Sequence, residues 1–68
     1  MKVKRIQIDI NDFGNQVMVD YPVEEVAQML ADVADRINNY GFVDGSHMLR
    51  DTNGNEVGVV ITDMEEDI

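Results

Sequence analysis

The sequence predicts an α+β domain in which two β-hairpins flank one helix, in the order ββαββ. Apolar residues alternate with polar ones near both ends of the chain, and they recur at helical spacing in the middle. Residues with turn chemistry separate these segments. The arrangement that buries both kinds of apolar face is a four-stranded antiparallel sheet with the amphipathic helix packed across one face.

The first hairpin is predicted over residues 2–21. Residues 2–10 read as a strand because isoleucines alternate with polar side chains, at Ile6, Ile8 and Ile10. Residues 11–15 supply turn chemistry through Gly14 and two asparagines. Residues 16–21 alternate again, with Val17, Val19 and Tyr21 on one face and Gln16, Met18 and Asp20 on the other. We therefore expect a second strand there.

The helix is the clearest element of the sequence. Pro22 suits a first helical turn, with Asp20 or Tyr21 as the N-cap, and apolar residues then follow an i, i+3, i+4, i+7 stripe from position 23 to position 37. Glu24 and Glu25 complement the positive end of the helix dipole. Gly41 is placed to end the helix in a left-handed conformation.

The second hairpin is predicted from residues 46–51 and residues 56–62. A three-residue loop, Thr52-Asn53-Gly54, would oppose Asp51 with Asn55, Arg50 with Glu56 and Leu49 with Val57. A two-residue loop would oppose Asp51 with Glu56, and like charges disfavour it. The whole chain, 1–68, is expected to be one domain, with residues 63–68 as a frayed acidic tail.

Composition narrows the classes of function. The chain has 68 residues, no cysteine and a net charge of −9, which repels phosphate backbones and anionic lipids. We therefore expect a cytoplasmic protein that binds neither nucleic acid nor membranes directly. A chain of this size has a thin core, and without disulfides it must be stabilised by packing or by self-association, so we expect a homodimer.

An interface of mixed character is predicted on the sheet face away from the helix. Met18, Met48 and Val60 are too apolar there for free exposure, while Arg50 and its polar neighbours are too polar for a core. A dimer contact would satisfy both kinds of residue.

No catalytic or metal-binding constellation is present in the sequence pattern. The segment Asp51–Glu56 resembles the start of a calcium loop, but position 6 holds glutamate and position 12 holds Thr62 where glycine and glutamate are needed. Asp44, Ser46 and His47 stand close in sequence, yet turn capping explains such residues better than a nucleophilic triad. We expect a non-enzymatic protein with no cofactor.

The strongest functional hypothesis concerns an acidic ridge on the helix, away from its apolar stripe, formed by Glu24, Glu25, Gln28, Asp32 and Asp35. Such a ridge could imitate phosphates to a basic groove, although Arg36 interrupts it and a solvated helix face is the simpler interpretation. The hypothesis is a non-enzymatic acidic protein that binds or inhibits a larger protein by docking on its basic surface. The larger protein would handle nucleic acid or serve in defence, and the acidic protein would in that case be encoded by a phage.

Two alternatives stay open. One is a small-ligand-binding homo-oligomer with a site at the subunit interface, using polar groups such as Tyr40, Ser46, His47 and Arg50. The other is a small structural or assembly protein whose strand edges pair with copies of itself.

Overall fold

The computed structural model describes residues 1–66, which form three strands and two helices. In chain order these are β1 (Lys2–Ile10), α1 (Gln16–Asp20), α2 (Pro22–Tyr40), β2 (Gly45–Arg50) and β3 (Glu56–Glu65). The predicted α+β class is confirmed, with an antiparallel sheet. The ββαββ order is wrong, and the fourth strand is absent from residues 1–66.

The sheet has the strand order β1-β3-β2, and both neighbouring pairs are antiparallel. β3 is the central strand, and its backbone is hydrogen-bonded to strands on both sides. It is also the most buried of the three strands, as expected for a central strand with apolar side chains. β1 and β2 are edge strands. The strand predicted over residues 2–10 is confirmed as β1.

Residues 16–20 form a short helix where a strand was predicted. The amide of Val19 donates to the Asn15 carbonyl, and that of Tyr21 donates to the Val17 carbonyl. A short apolar run fits either periodicity, and here helical geometry lets Met18 pack into the core while Val17 packs against it. Tertiary packing therefore overrides the alternation.

The long helix α2 confirms the predicted helix and both of its ends, but Val33 is the one position of the predicted apolar stripe that is buried, and Val23 and Leu30 of that stripe are exposed. It begins at Pro22 after the N-cap Tyr21, and Gly41 follows it with φ 72°, donating its amide to the Ile37 carbonyl at 2.8 Å. Met29 and Val33 are the buried apolar residues of the helix and face the sheet. α2 is thus attached through few buried side chains, and most of its surface is exposed.

The β2–β3 hairpin has the predicted three-residue loop but a different register beyond it. Arg50 lies opposite Glu56 and pairs with it at 3.1 Å, as predicted. Leu49 was expected opposite Val57, but it lies opposite Gly58 because a bulge separates Leu49 from Arg50 in the ladder. A one-residue shift exchanges the faces of a strand.

The core shows the consequence of that shift. Among residues 1–66 it consists of six buried apolar side chains from both helices and from β2 and β3: Met18, Met29, Val33, Leu49, Val57 and Val60. Two of them, Met18 and Val60, were predicted to form an interface on the open sheet face. The prediction of their exposure is wrong because α1 turns Met18 inward and the bulge brings Val60 to the helix side.

The acidic tail is ordered as far as β3 extends. Asp63 pairs with Arg5 at 3.5 Å, and Glu65 pairs with Lys2 at 3.1 Å. The Met64 amide between them donates to the Asp44 carboxylate. Residues 63–65 of the tail that was expected to fray therefore lie in β3 beside cross-strand cations, while residues 67 and 68 of that prediction lie outside the described residues.

Neither helix in residues 1–66 combines the length and the apolar composition required to cross a membrane.

Candidate functional site

The solvent side of α2 carries an unbroken row of polar side chains. We define the acidic stripe as Glu24, Gln28, Asp32 and Asp35, all of which are exposed. Spacings of four, four and three residues place them along one line of the helix surface. Gln28 donates to Asp32 at 3.0 Å, and within residues 1–66 none of the three carboxylates forms an ion pair. The stripe therefore presents uncompensated negative charge.

Glu25 was predicted to belong to this ridge but has a different role. Its side chain is buried, at 6% exposure, and it accepts hydrogen bonds from the Thr52 amide at 2.8 Å and the Thr52 hydroxyl at 2.7 Å. These bonds join the first turn of α2 to the β2–β3 loop. Glu25 thus attaches the helix to the hairpin loop, and its carboxylate is not available to a partner.

The β2–β3 loop is organised by a second buried carboxylate, that of Asp51. It accepts hydrogen bonds from the amides of Asn53 and Asn55 and from the Asn55 side chain. Desolvation raises the pKa of Asp51, but the hydrogen bonds from Asn55, Asn53 and Gly54 together outweigh it and lower the pKa below the usual value of 3.8. These contacts make a rigid turn of the segment that resembles a calcium loop. No three His, Cys, Asp or Glu side chains among residues 1–66 converge as metal ligands.

The distribution of cations explains where negative charge remains. Three of the five basic residues, Lys2, Arg5 and Arg50, are already paired with carboxylates of β3. Arg36, which was expected to interrupt the ridge, lines a cleft beside the C-terminal half of α2. The basic residues therefore neutralise the sheet and leave the acidic stripe uncompensated.

The cleft lies between α2, the loop that follows it and the sheet. Its volume is about 530 Å³, and its apolar walls include Ile6, Val33 and Val60. Three of the four residues suggested for a ligand site, Tyr40, Ser46 and His47, line it; the fourth, Arg50, does not. Desolvation, with the nearby charges of Arg36 and Arg50, lowers the pKa of His47 below its usual value of 6.5, which favours the neutral imidazole.

The predicted interface residues do not come together on one surface. Met48 is 42% exposed and Arg50 is exposed beside it in the chain, whereas Met18 and Val60 lie in the core. Only Met48 and Arg50 therefore stay available for the predicted contact.

Sequence reasoning missed the exposure of β1. Ile6 and Ile8 were expected to be core residues, but on this edge strand they are 38% and 43% exposed, and only Ile10 of the three isoleucines packs against the core. An apolar groove lies near the end of β1, between Phe13 of the following loop and one side of α2, lined there by Pro22, Val23, Val26, Ala27 and Leu30. No local signal distinguishes an edge strand from a central one here, because the strand order depends on the whole fold.

No protein-family model, curated protein or solved structure matches this chain. The acidic stripe, the cleft and the β1 edge are therefore the features of residues 1–66 from which a function can be inferred.

Proposed function

We propose that this chain is a non-enzymatic binding protein that docks its acidic stripe on a basic surface of a larger protein. The observation that carries the proposal is the line of Glu24, Asp32 and Asp35, exposed and without an ion pair within residues 1–66. A partner that handles nucleic acid, including one with a role in defence, has the basic groove that such a line fits. The chain would act on such a partner as an inhibitor.

The stripe is suited to docking because its helix is joined to the hairpin at one end and capped at the other. Glu25 and Thr52 join the start of α2 to the hairpin loop, and Gly41 ends the helix with a hydrogen bond to Ile37. From Glu24 to Asp35 the stripe extends about 16 Å along the helix axis. Carboxylates held in advance at this spacing lose little conformational freedom on binding, which favours affinity.

The test compares two variants with the same net charge. The stripe variant carries Glu24→Gln, Asp32→Asn and Asp35→Asn. The control variant carries Asp20→Asn, Asp44→Asn and Glu66→Gln, which are exposed positions outside the stripe. Each immobilised protein is incubated with lysate of the source cells at low and at high salt. Captured proteins are then identified by mass spectrometry.

We expect wild type and the control variant to retain the same basic protein, and we expect high salt to weaken this retention because exposed charges are screened. The stripe variant should lose that protein. Equal loss by both variants would show that net charge alone attracts it, and retention by the stripe variant would contradict the proposal.

A second candidate function is supported by the cleft. It brings Tyr40, Ser46 and His47 together beside apolar walls, and its volume lies within the range of small-molecule sites. With a neutral imidazole, a phenol and a hydroxyl, the cleft would bind a small molecule that is partly apolar and accepts or donates hydrogen bonds.

Nuclear magnetic resonance spectra recorded with a fragment library test this candidate. A ligand of the cleft should shift the amide signals of residues 41–47, and His47→Leu should abolish the shift while Gln28→Ala leaves it unchanged. If no fragment perturbs these amides, or if shifts persist in His47→Leu, the cleft is not a ligand site.

A further inference from the structure

We propose that the free edge of β1 is an interface with a second copy of this chain. The two β1 strands would pair antiparallel about a twofold axis and join two three-stranded sheets into one sheet of six strands. This inference concerns a surface other than the acidic stripe, so it can fail without affecting the proposed function.

The backbone of β1 has groups free to make this pairing. The Asn11 amide donates to the Val57 carbonyl across the β1–β3 ladder. Because antiparallel ladders alternate, the amides of Asp9 and Gln7 also point toward β3, and those of Ile6 and Ile8 point away from the sheet. A long edge with unpaired backbone groups is a template for another strand.

The apolar side chains on the helix side of β1 are incompletely buried. Ile6 and Ile8 are partly exposed although they share a face with the buried Val60, which lies directly opposite Ile8. A second β1 strand would cover both isoleucines with their own counterparts and remove apolar surface from water.

The charges of β1 select a second copy as the occupant. The first half of the strand is basic, with Lys2, Lys4 and Arg5, and acidic residues follow at Asp9 and Asp12. Antiparallel pairing places the basic half of one copy against the acidic half of the other. A basic partner would be repelled by the first half, and an acidic partner by the second.

One register satisfies both the charges and the isoleucines. With Gln7 on the twofold axis, Ile6 lies opposite the partner's Ile8, and Arg5 lies opposite the partner's Asp9. Arg5 would then stand between the partner's Asp9 and its own ion-pair residue Asp63. Each contact occurs twice by symmetry, as a closed dimer requires.

Charge exchange tests this register. Sedimentation equilibrium and native mass spectrometry give the mass of wild type, of Arg5→Asp, of Asp9→Arg, of the double variant and of an equimolar mixture of the two single variants. Circular dichroism of each sample checks the fold, since Arg5→Asp also removes the ion pair with Asp63.

Wild type should have twice the chain mass of 7.7 kDa. Each single variant should dimerise about tenfold more weakly or worse, because like charges would face each other twice. The mixture should form a heterodimer and the double variant should recover the homodimer, since both restore opposite charges. A monomeric wild type, a dimer indifferent to the single variants, or an assembly that grows beyond two copies would each overturn the proposal.

Discussion

Glu25 is an acidic residue on a helix whose side chain stabilises the fold instead of facing solvent. Its carboxylate receives two hydrogen bonds from Thr52, a residue 27 positions away in the chain. The contact is invisible to local pattern analysis, because the same residue type at the next position, Glu24, is exposed. Two adjacent glutamates in the first turn thus divide between fixing the helix and presenting charge.

We predict that Glu25→Ala lowers the free energy of unfolding by about 1.5–3 kcal/mol, since it removes hydrogen bonds to a charged acceptor and leaves the Thr52 amide without its partner. Glu24→Ala makes the same change to helix propensity and to the helix dipole without that loss. Urea unfolding of both variants measures the difference. Equal stabilities would show that the Thr52 contact contributes nothing.

Asp51 gives the molecule a specific dependence on pH. Its pKa is lower in the folded protein than in the unfolded chain, so the folded state binds the proton less well. The stability it contributes is therefore complete above the unfolded value of about 3.8 and is lost as pH falls through the lower pKa of the folded state.

We predict that Asp51→Asn destabilises the protein at pH 7, because the new NH2 group replaces the oxygen that accepts from the Asn55 side chain, and the remaining neutral oxygen accepts more weakly from the Asn53 and Asn55 amides. The stability difference from wild type should shrink as pH falls below about 4, when wild type loses the same charge. Thermal unfolding from pH 7 to pH 2 measures the difference between the two proteins. A difference that stays constant over this range would contradict the assignment.

At the scale of elements, β1 can lie against β3 only because residue 58 is glycine. A Cβ added to Gly58 would overlap the Asp9 carbonyl oxygen and lie 2.9 Å from the Ile10 Cα. Both neighbours are backbone of the paired strand, so no side chain can rotate to make room.

We therefore predict that Gly58→Ala lowers the free energy of unfolding by about 1–3 kcal/mol through overpacking and separation of the strands. Gly14→Ala is the control, since a Cβ there meets only the Asp12 carboxylate at 3.4 Å. Denaturant unfolding and amide exchange across β1 follow the change. A Gly58→Ala protein as stable as the control would show that β1 can move away freely.

The elements could be predicted from the sequence where one periodicity dominated. β1, α2 and the β2–β3 turn follow from alternation, the apolar stripe and the loop chemistry around Gly54. The short helix over residues 16–20 could not be predicted, because the alternating run of six residues, 16–21, is too short to separate the two periods. The bulge at Leu49, which moves Val60 to the core side, depends on how the strands meet and has no local signature.

The candidate site was predictable in part for the same reason. Glu24, Gln28, Asp32 and Asp35 are on the surface because helical spacing separates them from the apolar stripe. The cleft residues near His47 were singled out by chemistry, but the cleft itself depends on how α2 sits above the sheet. Long-range contacts determine which of the predicted surface residues are buried instead, as Glu25 and Met18 are.

The whole molecule is extended for its length. Its radius of gyration is 13.4 Å, and its dimensions are 48 × 20 × 16 Å. A compact chain of this size has a radius of gyration of about 11 Å. Six side chains form the buried apolar core, and apolar residues on β1 and α2 stay partly exposed. A partner or a second copy that bound this molecule would add to its stability.

Charge is also divided at this scale. Ion pairs between β3 and its neighbouring strands use most of the cations, and the solvent side of α2 keeps its carboxylates. The molecule therefore has an acidic helix face on one side and, along β1, an edge with both signs of charge. We propose that the first binds a basic partner and that the second pairs with its own copy.

The dissociation constant of the captured complex, measured at several salt concentrations for wild type, the stripe variant and the control variant, tests the central claim most directly. Binding by wild type and by the control variant should weaken in parallel as salt rises. The stripe variant should bind at least about tenfold more weakly at low salt and depend less on salt, because its contacts are no longer ionic. Identical curves for the two triple variants would contradict the claim that this face of α2 is the binding surface.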